Sequence, residues 1–290
     1  MNDAEPPDEA VDQAHPPASV AALLYTDVHG QPSDPDSVVA AAREDGRWRE
    51  LVAPVQDVMG DGDLHPLWRW VACRALVRWA DPSGYDAVVS AGAAPDRVVW
   101  RGVATDRFTD DDTTFAELAE DVGESYDVAA ERKTSALRLD ALRALLAVAD
   151  RVDLVHSLGQ GIVLALEEDD VRTLAPELAA AVAACRRALQ AQSGQVDVAV
   201  QMAGLLGRLV EVDEPAAVEQ ARWLLVERPG RDVLVWLRAL VAGGRGEESL
   251  LLADEIARAA SREGLDVPIE EALAARRRWV ERRAEGNPAR

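Results

Sequence analysis

Acidic side chains are the most conspicuous chemistry in this chain, and the run Asp110-Asp111-Asp112, followed by Thr113-Thr114, is its most compact expression outside a helical pattern. Such a run could ligate a cation, shuttle protons or repel a phosphate. Calcium needs a twelve-residue loop closed by a distal glutamate. Neither this run nor Asp61-Gly62-Asp63 has that spacing, so both read as solvated turns. The four histidines, His15, His29, His65 and His156, stand singly, and Cys73 and Cys185 have neither a second cysteine nor a histidine at ligand distance. Both cysteines fall within helical patterns and read as buried free thiols, with a disulfide between them left open. Gly159-Gln160-Gly161 lies inside an apolar pattern without a preceding strand or a Lys-Ser/Thr pair, which suits close packing better than a phosphate loop. A Gly-x-Ser-x-Gly elbow is lacking, and carboxylates are too numerous for any two to stand out as a catalytic couple. The expectation is therefore a protein that is not an enzyme, with no cofactor and no metal.

Charge sharpens that expectation. The formal net charge is −21, from 52 acidic and 31 basic residues. Residues 1–130 hold 26 acids and 9 bases, a net of −17, against 26 and 22, a net of −4, in residues 131–290. An amino-terminal acidic pole repels phosphate backbones, so no nucleic acid is expected as a ligand, whereas a basic protein surface would be attracted. No run of about eighteen apolar residues occurs, so no membrane span is expected, and the cytoplasm is the expected compartment.

The elements that must carry these groups read as helices. In the stretch from His65 to Pro82, Leu67, Val71, Ala75 and Trp79 form one i, i+4 row, with Trp68, Ala72 and Leu76 beside it. Pro66 suits a first helical turn, Asp81-Pro82 a stop, and Trp70 stands one turn before Arg74, within reach of a cation–π contact. Further helices are read from Val20, from Asp36 or Ser37, from Trp48 to Val55 and near Tyr85–Ala91. From Ser135 onward they become long: one to Asp150, then Val152–Leu166, Val171–Gln190, Val196–Val212, Ala216–Glu227, Val233–Ala242, Glu247–Glu263 and a last one from about Pro268 to Glu285. Arg276-Arg277-Arg278 near its end fits dipole-favoured cations. Between Pro95 and Lys133 the pattern loosens, and Arg97-Val98-Val99-Trp100 reads equally as a short strand or a helical turn.

Pairs of helices joined by Gly, Pro or Asp turns recur every 35–50 residues or so, a spacing at which stacked units share one core. Leu67–Ser90 and Ala216–Ala242 resemble HEAT-type repeats: an Ala/Leu/Val-rich helix, an Asp-Pro or Arg-Pro-Gly turn, and a second helix with paired apolar residues such as Val88-Val89 or Leu234-Val235. The resemblance implies an all-α fold of stacked antiparallel helix pairs, an α-solenoid over about residues 36–285 with an irregular segment near 95–133. It also implies a surface for macromolecules and no shared catalytic residue. The expected organisation is a disordered, acidic, proline-rich tail over 1–18, acidic helical repeats with the irregular insertion over 19–134, and helical repeats over 135–286.

Three functional readings follow. The first is a scaffold or adaptor that binds a protein partner through its acidic face. Its candidate contact residues are Trp48, Trp68, Trp70, Arg74, Trp100 and Arg101, because Trp and Arg dominate interface hot spots when exposed, together with Asp110, Asp111 and Asp112. The second is an immunity-type inhibitor that neutralises a basic toxin or nuclease by offering carboxylates in place of phosphates. The third is an enzyme with a site assembled from dispersed residues, for which a pocket holding His156 or His65 beside perturbed carboxylates would speak.

Overall fold

In the computed structural model the described residues are 15–106, 110–155, 161–192 and 197–284, and the side chains of 164 and 279–284 are outside the description. His156, Gly159 and Gln160, together with most of the proposed tail, therefore lie outside the described residues. Those described are helical, with three isolated bridges and no strand. None of their helices is long and apolar enough to cross a membrane. The chain divides into two compact units, residues 1–75 and 76–290. The boundary read at 134/135 falls inside the second unit, beside a left-handed turn at Lys133 (φ 61°).

In the first unit α1 (Ala18–Leu24), α2 (Pro35–Asp45) and α3 (Trp48–Gly60) pack together, and α4 (Pro66–Arg78) begins. Asp34 caps α2 by accepting the Ser37 N–H at 2.8 Å, with Pro35 in the first turn where its missing N–H costs nothing. Tyr25 meets Trp68 edge-on at 5.7 Å, and Arg74 lies 4.9 Å over Trp70 and 3.5 Å from Asp36.

The second unit continues with α5 (Pro82–Ala93), a single 3-10 turn (Pro95–Arg97), α6 (Thr114–Glu124), α7 (Tyr126–Arg132), α8 (Ser135–Leu146), the short α9 (Ile162–Ala165) and α10 (Glu168–Thr173). Then come α11 (Ala175–Ala191), α12 (Val198–Leu209), α13 (Glu214–Glu227), α14 (Arg231–Gly243), α15 (Glu247–Arg262) and α16 (Ile269–Ala284). Of the two readings of Arg97–Trp100 the strand is not found: Arg97 ends the 3-10 turn and the chain continues in irregular turns. Pro176 explains why the helix read from Val171 is two: it cannot donate within a continuing helix but fits the first turn of α11.

The larger correction concerns Val152–Leu166. Among its described residues helix is confined to Ile162–Ala165, Val152–Val155 are not helical, and Val155 bridges Gly161. Gly161 has φ 99°, and a Cβ there would stand 2.1 Å from the Leu154 carbonyl oxygen, so the close approach requires glycine.

Two features fix the core of this unit. Arg138, 2% exposed on α8, grips both oxygens of Asp170 at 2.8 Å, donates to the Val122 and Ala165 carbonyls at 2.8 and 3.3 Å, and lies 4.9 Å over the Tyr126 ring. Later, α12, α14 and α16 pack in sequence, with α11, α13 and α15 against them. Glycines bring α12 and α14 close. A Cβ on Gly207 would meet that of Ala239 at 3.1 Å, and one on Gly204 would meet the Trp236 ring at 3.5 Å. Arg276 of the C-terminal arginine run turns inward, its guanidinium donating to Ser249 Oγ and the Gly246 carbonyl.

Candidate functional site

The second unit holds a cavity of about 240 Å³. Its polar wall is aspartate: Asp106, Asp111, Asp112, Asp153, Asp197 and Asp232, with Thr113 among them. Val155, Val200, Val235 and Trp236 make its apolar side. Among the described residues no arginine, lysine or histidine lines it.

Four segments deliver these groups. The loop before α6 is pinned by Thr113 N–H to the Ala104 carbonyl at 3.0 Å and Asp106 N–H to the Asp111 carbonyl at 2.9 Å. Asp112 Oδ1 accepts the Thr114 N–H at 3.0 Å, starting α6. The segment from Ala149 to Leu154 is held by the buried side chain of Gln201 on α12. Its Oε1 accepts the Leu154 N–H at 2.6 Å, while its Nε2 donates to the Val152 carbonyl at 3.1 Å and to the Ala149 carbonyl. Asp197 caps α12, its Oδ1 accepting the Val200 N–H at 3.1 Å. Asp232 occupies the first turn of α14, one turn before Val235 and Trp236.

Carboxylates crowded beside apolar walls resist ionisation together. Burial, then the charges of Asp111, Asp197 and Asp112, push the half-buried Asp153 carboxyl up to about 7. No described residue donates a hydrogen bond to it. A cation entering the cavity would relieve this repulsion, and an indole face suits a cation as well as an apolar spacer. Among the described residues no three His, Cys, Asp or Glu side chains converge as a metal ion requires.

Of the residues singled out from sequence, Asp111 and Asp112 line the cavity, and Arg101 stands beside it, 3.8 Å from Asp112 and paired with Asp96. Asp110 is exposed and does not line it. Trp100 is 8% exposed against Phe115, and Trp68 and Trp70 are each 4% exposed, so these rings offer a partner almost no surface. Trp48 is half-buried with Arg49 stacked at 4.7 Å, and Arg74 is engaged by Asp36 and Trp70.

Sequence reasoning missed Asp153, Asp197, Asp232, Trp236 and Gln201. A signal existed for two of the acids: Asp197 with Val200 and Asp232 with Val235 repeat one Asp-x-x-Val spacing 35 residues apart. Compared with protein-family models, curated proteins and solved structures, the chain matches none.

Proposed function

We propose that the chain is a non-enzymatic protein-interaction module that takes a basic segment of a protein partner into this acidic cavity. The observation that carries the reading is the lining itself, six aspartates facing one space whose other walls are apolar and aromatic. Carboxylates massed in one space outweigh the charge of Arg101 beside Asp112 and favour a cationic occupant, and a concave apolar wall lets that occupant bury its side chains. The HEAT-like reading belongs to this proposal: stacked helix pairs bring helix starts from distant sequence to one edge, where each adds an acid. The scaffold and the inhibitor of a basic toxin share this chemistry and differ in what the partner does.

The test is affinity capture from host lysate at low and high salt. Wild type is compared with a variant carrying Asp111→Asn, Asp112→Asn and Asp232→Asn, and the captured protein is then purified for a direct titration. One stoichiometric basic partner, lost at high salt and lost in the variant, is expected. Equal capture by the variant would sink the cavity as the contact. A toxin or nuclease silenced on binding would make the protein an inhibitor.

A second reading draws on Asp153 alone. A carboxyl that titrates near neutrality in a cavity is placed to give or take a proton, as in an enzyme using it as general acid or base. Turnover of a neutral or cationic substrate, abolished by Asp153→Asn with binding retained, would favour it.

A further inference from the structure

The repeated Asp-x-x-Val spacing says more about the occupant than its charge. On α12, Asp197 is followed one turn later by Val200; on α14, Asp232 is followed one turn later by Val235, and all four line the cavity. The two helices run parallel, because Gly204 faces Trp236 and Gly207 faces Ala239, an offset of 32 residues in both cases. The two acids are 35 residues apart, so Asp232 sits three residues further along its helix than the point level with Asp197.

Three residues of helix rise about 4.5 Å. Packed helix axes lie about 8–10 Å apart, and the glycine contacts place this pair at the close end. The two acidic positions are therefore roughly 10 Å apart on the diagonal. A fully extended strand covers that distance in three residues, but its side chains alternate, so positions i and i+3 point to opposite faces. A polyproline-II segment rises about 3.1 Å per residue with three residues per turn, so i and i+3 share a face about 9 Å apart. Val200 lies level with Asp232 across the pair, and Val235 and the half-buried Trp236 ring follow about one turn further along α14, an apolar wall beside the two acids. Grooves of this aromatic kind favour the preformed polyproline-II backbone.

We infer that the partner segment docks as a polyproline-II strand with cationic side chains at positions i and i+3, one on Asp197 and one on Asp232, beside the apolar wall of Val200, Val235 and Trp236. This rests on the proposed function and goes beyond it in naming the spacing and conformation of the ligand.

Fluorescence anisotropy with labelled, end-blocked peptides tests it. Two nonapeptides of identical composition carry either Arg-Pro-Pro-Arg or Arg-Arg-Pro-Pro at their centre, flanked by Gly and Ser. The spaced peptide is expected to bind about tenfold more tightly at low salt. Asp232→Asn, at an exposed position with no capping role, is expected to erase that preference while leaving the helical circular dichroism unchanged. Equal binding of the two peptides would overturn the inference and leave the proposed function standing. Binding of neither, or displacement by spermidine at the same concentration as by the spaced peptide, would overturn both.

Discussion

The Gln201 side chain accepts the Leu154 N–H at 2.6 Å, so the fourth residue of α12 sets the position of a segment 47 residues earlier in the chain. The same amide donates to the Val152 and Ala149 carbonyls, and Asp153 lies between the two outermost of the residues it touches. A helix that presents Asp197 to the cavity thus also holds the loop that presents Asp153.

Replacing Gln201 by Leu keeps the volume and deletes all of these bonds. Buried backbone groups left without a partner cost about 1–3 kcal/mol each before relaxation. Because the loop can shift to regain some of them, a net loss of about 2–3 kcal/mol is expected in urea unfolding, within that same range. Basic-peptide affinity should fall with it, since Asp153 is no longer fixed. Unchanged stability together with unchanged binding would show that this amide does not hold the loop.

Asp153 makes stability depend on pH in an unusual direction. Its carboxyl titrates at about 7 in the folded protein against an ordinary value of 3.8, so between those values the folded state holds a proton that the unfolded chain has released. Its contribution is therefore complete below about pH 4, declines as pH rises through 7 and is lost above. Asp153→Asn mimics the protonated form at every pH. The variant should match wild type near pH 3.5 and melt at a higher temperature at pH 8, as read by circular dichroism. A variant that melts lower at pH 8 would mean that the ionised carboxylate is favourably held there.

Much of the helical order was legible because apolar rows at i, i+4 and turn residues such as Asp81-Pro82 carry local physics, although α2 starts at Pro35 under the Asp34 cap and not at Asp36 or Ser37. What escaped was set by distant contacts. The apolar periodicity of Val152–Leu166 was outweighed by the Gly161–Leu154 approach and by the bonds from Gln201. The acids of the cavity sit at helix starts, where aspartate is ordinary as a cap, so nothing in Asp197 or Asp232 taken singly marks a site. Asp111 and Asp112 were visible because they are adjacent. The tryptophans were named as contact residues for the case that they are exposed, whereas helical spacing ordinarily signals packing, and Trp68 and Trp70 occupy the buried face.

The clamp of Arg138 on Asp170 should dominate the stability of the second unit. Both groups are buried, and three further acceptors surround the guanidinium: two backbone carbonyls and an aromatic face. Arg138→Met leaves the Asp170 carboxylate without its bidentate partner, and losing one member of such a pair costs about 3–5 kcal/mol. The double variant with Asp170→Leu should recover part of that loss. Urea unfolding of both variants checks this, and a double variant no more stable than the single one would show that packing, not the stranded charge, is at stake. Gly123→Ala tests the same junction sterically, since its Cβ would stand 2.5 Å from the Ala165 Cα and push away the segment whose carbonyl Arg138 uses.

The two thiols differ from reactive cysteines in every respect that matters. Cys73 and Cys185 are both fully buried, and no disulfide joins them, the pairing that the sequence left open. Burial, then the charge of Asp150, pushes the Cys185 thiol up to about 12, and it lies 3.6 Å from the Ala149 carbonyl, the same carbonyl that Gln201 holds. Thiolate is the attacking form, so Cys185 should be inert at neutral pH while the fold is intact. Titration with a thiol-specific disulfide reagent is expected to find no fast-reacting group in the native protein and two in urea. In Gln201→Leu, loosening of the Ala149–Leu154 segment should speed the reaction of Cys185 more than that of Cys73. Equal acceleration of both thiols would mean that the substitution acts by global unfolding and not at this loop.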